Sequence, residues 1–272
     1  MKLHCIPILS ALFTSLVCFS NPATKISDNS PSSGIVIRWN DCEQTIDGFG
    51  IAQAGWAKEL FAFKNRKQVM DKMFGNDGLR LNILRGEIFP HYWENKEDKD
   101  FNLNDDINIE LCDSDFNNKS DDLLRRGQLW LTLEAKNKYH INKLVFSTWS
   151  APAWMKSNGK VSNGKLKPEC YQDFANYLAA FYKAYKSKGI TPYAISPSNE
   201  PGYAAPWNSS LWTADEMGKF ITSNLGPTFQ KENIPAKIIF GENPLWSVVM
   251  PQLKMVSSKD FTDTILQDYP EI

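Results

Sequence analysis

Five times along the chain a short apolar run rich in strand formers passes into a polar or aromatic tip, and helical spacing follows. The runs are Gln44 to Gly50, Leu79 to Leu84, Leu144 to Ser147, Tyr193 to Ile195 and Lys237 to Gly241. Between them, Val69, Met70, Met73 and Phe74 predict a helix from Asn65 to Phe74 that Gly75 closes, and a second helix is expected from Asp121 to Lys138, with Gly127 as its weak point. Tyr171, Phe174, Leu178, Phe181 and Tyr185 recur at spacings of three and four and stop at Gly189. Thr213 with Glu216 makes a capping box for a helix to about Gln230, and a last helical stretch reaches about Asp268. This alternation implies a parallel sheet, wound by right-handed crossovers into a doubly wound sheet or a barrel. Trp, Asn, Arg and Glu stand at the carboxyl ends of successive runs, which favours an α/β barrel of the (β/α)8 type, where chemistry gathers at that rim.

The segments outside this repeat set the compartment. Met1 to Ser20 opens with Lys2 and His4 and runs apolar from Cys5 to Phe19, as a secretory signal peptide does. It is short for a membrane span of about 20 residues, so the mature protein is expected to be secreted or extracytoplasmic, with no membrane span. A lipoprotein reading through Cys18 is weaker, because Val17 is bulky where a small residue belongs. Asn21 to Ser33 reads as a flexible spacer, and Ile35 to Trp39 as a strand. Without the leader, Cys42, Cys112 and Cys170 remain, an odd number with no CxxC pair and no His/Cys cluster. That argues against a structural zinc site. His91 and His140 alone leave a histidine triad little to draw on. A formal charge of −1, with Lys and Glu dispersed, gives no footprint for nucleic acid or an anionic membrane. GFGIAQAGW lets backbone approach something closely, but it lacks both the Lys-Ser/Thr and the GxGxxG spacing of a nucleotide loop. No cofactor or metal is expected.

The stretch from Thr191 to Trp207 concentrates the chemistry. A strand ending at Ile195 is followed by a tight Ser-Pro-Ser and then by Asn199, Glu200 and Pro201, which sets a carboxylate on a rigid edge. Partial burial among Tyr203, Trp207 and Trp212 would disfavour its charged form, as a proton donor requires. Taken alone, the tripeptide favours a helix-capping or salt-bridged glutamate at a strand end. Nine tryptophans, several of them beside Pro, Gly and Asn, suit the apolar faces and hydroxyl rims of sugars as well as ordinary packing. Gly86 to Asn118 is acidic and Asn-rich and reads as a long loop carrying Tyr92 and Trp93.

Four ordered tips carry a resemblance. QTIDGFG, LRLNILRGEI, TWSAPAWMKSNG with NGKLKPECY, and YAISPSNEP together resemble glycoside hydrolase family 30, which includes glucosylceramidases, glucuronoxylan endoxylanases, β-1,6-glucanases and endo-β-1,6-galactanases. The similarity runs from about Gln44 to the end of the chain. It implies that Glu200 is the general acid/base and that Asn199 contacts the hydroxyl beside the reacting carbon. It further implies that Arg85 and Trp149 line the subsite for the cleaved sugar, with Trp154, Tyr203 and Trp207 beside neighbouring sugars. A β-linked polysaccharide such as xylan or β-1,6-galactan is the implied substrate, because WSAPAWMKSNG is closer to the polysaccharide-cleaving branch. A glucosylceramidase-type hydrolase and a non-catalytic, carbohydrate-binding or vestigial fragment are the alternatives.

One departure from the family pattern matters. Retaining glycosidases need a second carboxylate about 5–5.5 Å from the first. The resemblance places it at the tip of a seventh strand, whereas Glu242 stands at the fifth and reads as a structural or substrate-contact residue. The expectation is an incomplete barrel of about the first five β/α units, over residues 44–272, preceded by residues 34–43 as a remnant strand of an accessory β-sandwich. With two exposed sheet edges, such a chain is expected to be unstable or aggregation-prone alone and to hydrolyse no glycoside by itself.

Overall fold

The structure is a computed structural model that describes residues 38, 40–41, 45–53, 56–90, 92–98, 127–246 and 256–272. The leader, the spacer, the Ile35 to Trp39 strand (apart from Arg38), Cys42, His91 and Cys112 lie outside the described residues. The chain divides into two units, Met1–Thr45 and Ile46–Ile272, and every element below belongs to the second.

Five strands, β1 (Gly50–Ala52), β2 (Ile83–Ile88), β3 (Lys143–Thr148), β4 (Ala194–Ser196) and β5 (Lys237–Ile238), form one sheet in the order β1-β2-β3-β4-β5 with every pairing parallel. A doubly wound sheet reverses its strand order at a switch point. Here the order never reverses among the described strands, so the two topologies left open by the sequence resolve to the barrel type, incomplete at five strands. Seven helices are described: α1 (Ala57–Ala62), α2 (Arg66–Phe74), α3 (Gln128–Tyr139), α4 (Tyr171–Ser187), α5 (Ala214–Phe220), α6 (Gly226–Lys231) and α7 (Ser258–Asp268). Among the described residues no helix is long and apolar enough to cross a membrane.

Helix α4 forms where the spacing predicts it. Phe174, Leu178, Phe181 and Tyr185 are buried, and Phe146 of β3 packs edge-on against Phe181 and Tyr185 with centroids 5.1 and 4.9 Å away. Each such side chain contributes about 1.5–3 kcal/mol through burial. Gly189, at φ +81°, turns the chain out of the helix, and the Ile190 N–H returns to the Tyr185 carbonyl.

Elsewhere the boundaries move. β2 begins four residues later than predicted because Leu79 and Leu81 are still hydrogen-bonded to the end of α2, and Arg80 takes the left-handed conformation (φ +52°). Leu79 is accordingly 73% exposed. The strand instead runs to Ile88, so Arg85 sits within it rather than at its end. β1 starts at Gly50, where the predicted strand was to finish. A Cβ at Gly50 would lie 2.7 Å from the Ile83 carbonyl oxygen, so what this glycine approaches is the neighbouring strand. Tyr92 and Trp93, assigned to a loop, are buried, with Trp93 edge-on to Tyr177 at 5.2 Å. Trp212 is likewise core, against Phe174 and Phe220.

The helix predicted to reach Gln230 is interrupted by a π turn at Ile221–Leu225. Pro227 has no N–H for an i−4 carbonyl, and the wider turn, with the Gly226 N–H reaching Ile221, carries the helix past it. At its start the capping box is complete: the Glu216 N–H donates to Thr213 Oγ1 at 3.2 Å, and the Thr213 N–H to Glu216 Oε2 at 2.8 Å. Thr213→Ala is therefore expected to cost about 1 kcal/mol, read as a lowered thermal midpoint. A midpoint equal to that of the unsubstituted chain would show that the cap adds nothing.

Beyond β5 a groove of about 740 Å³ runs between Phe229, Ile238, Phe240 and Ile272. Among the described residues no strand pairs with the outer edge of β5 or of β1.

Candidate active site

Strand alternation decides which side chains can meet. Leu84, Gly86 and Ile88 of β2, and Leu144, Phe146 and Thr148 of β3, are buried. Phe146 fixes that face as the helix side. A Cβ at Gly86 would fall 2.7 Å from both the Phe146 ring and Gln128 Oε1, so this side has no room left. Arg85 and Glu87 therefore point to the opposite, inner face, and the register Glu87↔Ser147↔Ser196 aligns three polar residues there.

Arg85 is the hub. Its Nη2 donates to Asn199 Oδ1 at 2.7 Å, and its Nε donates to Glu242 Oε1 at 3.2 Å. Its guanidinium carbon stands 4.6 Å from the Trp149 ring centroid, a cation–π contact. Glu242 Oε2 accepts the Ser147 hydroxyl at 2.8 Å. Both oxygens of Glu242 are thus engaged, as an ion pair with added hydrogen bonds requires.

Asn199 and Glu200 extend β4 past its last ladder pair. Asn199 bridges to Glu242, the Asn199 N–H donates to the Thr148 carbonyl, and the Glu200 N–H donates to the Glu242 carbonyl at 3.0 Å. Glu200 has φ +48°. A non-glycine residue there stores about 1–3 kcal/mol, a cost tolerated where surrounding structure over-determines the conformation and common at functional sites. The surrounding structure here is β5 on one side and, on the other, the turn in which the Tyr203 N–H returns to the Glu200 carbonyl and Asn243 Oδ1 accepts the Gly202 N–H. Glu200 is half-buried.

Arg85 and, through the backbone, Asn199 and Glu200 therefore meet at Glu242, with Trp149 against Arg85. Tyr203 stands one turn on, and Trp207, 54% exposed, lies edge-on to it at 6.3 Å, out on the rim. Trp154 gives its indole N–H to the Trp93 carbonyl and braces the adjoining loop.

Glu87 was not singled out in the sequence. Misplacing β2 hid the signal, an Arg-Gly-Glu in which two charges share one strand face. Its backbone is clamped beyond the end of β1: the Glu87 N–H donates to Gln128 Oε1 at 2.6 Å, and Gln128 Nε2 donates to the Glu87 carbonyl at 2.8 Å. Its carboxyl is pushed up to about 8 by burial, against the opposing pull of an Asn208 hydrogen bond and the Arg85 charge. Oε1 is buried with no hydrogen-bond partner. Lys156, also missed, is a buried amine lowered to about 8 by burial, and its Nζ donates to Ser150 Oγ and to the Ser209 carbonyl. Cys170 is a buried free thiol.

The arrangement offers a carboxyl on a strained, doubly held turn, an amide oriented by an arginine, and aromatic faces. A sequence profile described as the glycosyl hydrolase family 30 TIM-barrel domain matches residues 46–243. The chain is 28% identical over 237 residues to an endo-1,6-β-D-glucanase of Neurospora crassa, covering 80% of this chain and 45% of that protein. To the glucuronoxylanase XynC of Bacillus subtilis it is 34% identical over 114 residues, 40% of this chain and 25% of the other. Among solved structures, the endo-β-1,6-glucanase BT3312 superposes with a TM-score of 0.63 at 23% identity, over 83% of this chain and 49% of that one. The chain thus spans less than half the length of these relatives.

Proposed function

We propose, from the premise that this chain belongs to glycosyl hydrolase family 30, that it carries the acid/base half of a secreted, retaining β-glycoside hydrolase site for a β-linked polysaccharide such as xylan or β-1,6-galactan. Glu200 is the proton donor to the leaving oxygen and later the base that activates water. Asn199, held by Arg85, contacts the hydroxyl next to the reacting carbon, and Trp149, Tyr203 and Trp207 offer faces to sugar rings. The observation that carries the reading is the Glu200 turn: strained, pinned to β5, and within the matched residues. Glu242 is oriented by Arg85 and Ser147 and is read as a positioning residue. The covalent partner is assigned to parts of the family fold outside the match, and secretion to the Met1 to Ser20 leader.

The chain alone is accordingly expected to bind but not cleave. Incubation with aryl β-glycosides, glucuronoxylan, β-1,6-galactan, β-1,6-glucan and glucosylceramide should release no sugar, while calorimetry should register polysaccharide binding. Hydrolysis abolished by Glu200→Gln would overturn the half-site assignment. Absence of binding to every glycan would sink the glycan reading itself.

A further inference from the structure

Glu87 is a carboxyl that its surroundings neither neutralise nor satisfy. Arg85, its neighbour on the same strand face, places its donors on Glu242 and Asn199. Ser147, directly beside it in register, gives its hydroxyl to Glu242. Asn208, from the loop that also carries Tyr203 and Trp207, hydrogen-bonds the carboxyl, yet Oε1 is buried without a partner. An acceptor left in that state costs about 1–3 kcal/mol. The backbone carrying it is fixed at both N–H and carbonyl by Gln128, and Asn208 holds the carboxyl itself.

We propose that Glu87 is a specificity-determining, sugar-binding residue whose Oε1 accepts a hydroxyl of a neutral sugar ring seated against the inner face of the sheet beside Arg85. This rests on the glycan reading above and narrows it. A site built to pair a hydroxyl discriminates strongly, because an analogue lacking that group leaves a buried acceptor unpaired. A uronate at the same position would be desolvated without a counter-charge of its own, since the Arg85 charge is already paired with Glu242. Burial raises the Glu87 carboxyl to about 8, which favours its uncharged form near neutrality and so suits a neutral ligand.

Calorimetric titration of the purified chain tests this with a β-1,6-linked gluco-oligosaccharide and with xylo-oligosaccharides bearing or lacking a glucuronic acid branch. The unsubstituted chain should bind neutral oligosaccharides at least tenfold more tightly than acid-branched ones. Glu87→Leu should weaken neutral binding by about tenfold, the loss of one hydrogen bond to a buried acceptor. Glu87→Gln keeps a carbonyl oxygen at the same place and should stay within about twofold of the unsubstituted chain. If Glu87→Leu fails to fold, preference for the acid-branched ligand by the unsubstituted chain still overturns the proposal. Unchanged neutral binding in a folded Glu87→Leu chain overturns it while leaving the glycan reading intact, and failure of every oligosaccharide to bind overturns both.

Discussion

Replacing Arg85 with methionine is expected to lower the unfolding free energy by about 3 kcal/mol, a larger effect than removing any rim aromatic. Breaking a buried ion pair from one side costs about 3–5 kcal/mol, because the remaining charge is left uncompensated. Here the side chains of Arg85 and Glu242 are 22% and 21% exposed, so water recovers part of that cost. What remains is a Glu242 oxygen facing the inner sheet with only Ser147 on its other oxygen, an Asn199 amide without its donor, and a Trp149 face without its cation. Glu242→Gln should also destabilise, and the double variant should fall short of the sum of the two by about 1–3 kcal/mol, as coupled neighbours do. Urea unfolding of the four proteins measures this. Additivity within about 0.5 kcal/mol would mean that the pair contributes nothing and that Arg85 is not the hub of the site.

Helices α2 and α4 were legible in the sequence because their signal is local, whereas the short α1 was not read at all. The alternation within α4 and the Thr213–Glu216 box are each contained in one element, and each forms as read. Strand registers were not local. Leu79 to Leu84 alternates as well as any strand, but its first residues are tied back to α2 by hydrogen bonds that no periodicity encodes. The four-residue slip placed Arg85 at an end and moved Glu87 out of sight. The aromatics were ambiguous for a similar reason. Trp93, Trp149, Trp207 and Trp212 look alike in sequence, yet Trp93 and Trp212 fill the core, Trp149 stacks on a cation, and Trp207 faces solvent. The left-handed turn at Glu200 depends on β5 arriving beside it, some forty residues later in the chain, so no local pattern announces it.

Glu87 gives the second large effect, and its sign follows from the direction of the shift. Burial raises the folded carboxyl to about 8 from an ordinary 4.5, so the folded state holds its proton more tightly than the unfolded chain does. Below the unfolded value both states are protonated and the full stability is present. As pH climbs toward 8 the unfolded chain releases the proton first, and stability falls by up to about 1.4 kcal/mol per pH unit. The groups that face the carboxyl do not reverse this. Arg85 and Asn208 pull the other way and are outweighed by burial, while Gln128 holds the Glu87 backbone N–H and carbonyl. Glu87→Gln is neutral throughout, so its advantage over the unsubstituted chain should grow from about 1 kcal/mol or less at pH 5 to a few kcal/mol at pH 8. Lys156, lowered from 10.5 to about 8, shifts stability mainly above pH 8 and is present in both proteins, so the comparison stops at that point. Urea midpoints at pH 5, 6, 7 and 8 decide the matter: diverging curves place a neutral acid on the inner face of the sheet, and parallel curves mean that Glu87 is ionised and solvated like a surface carboxylate.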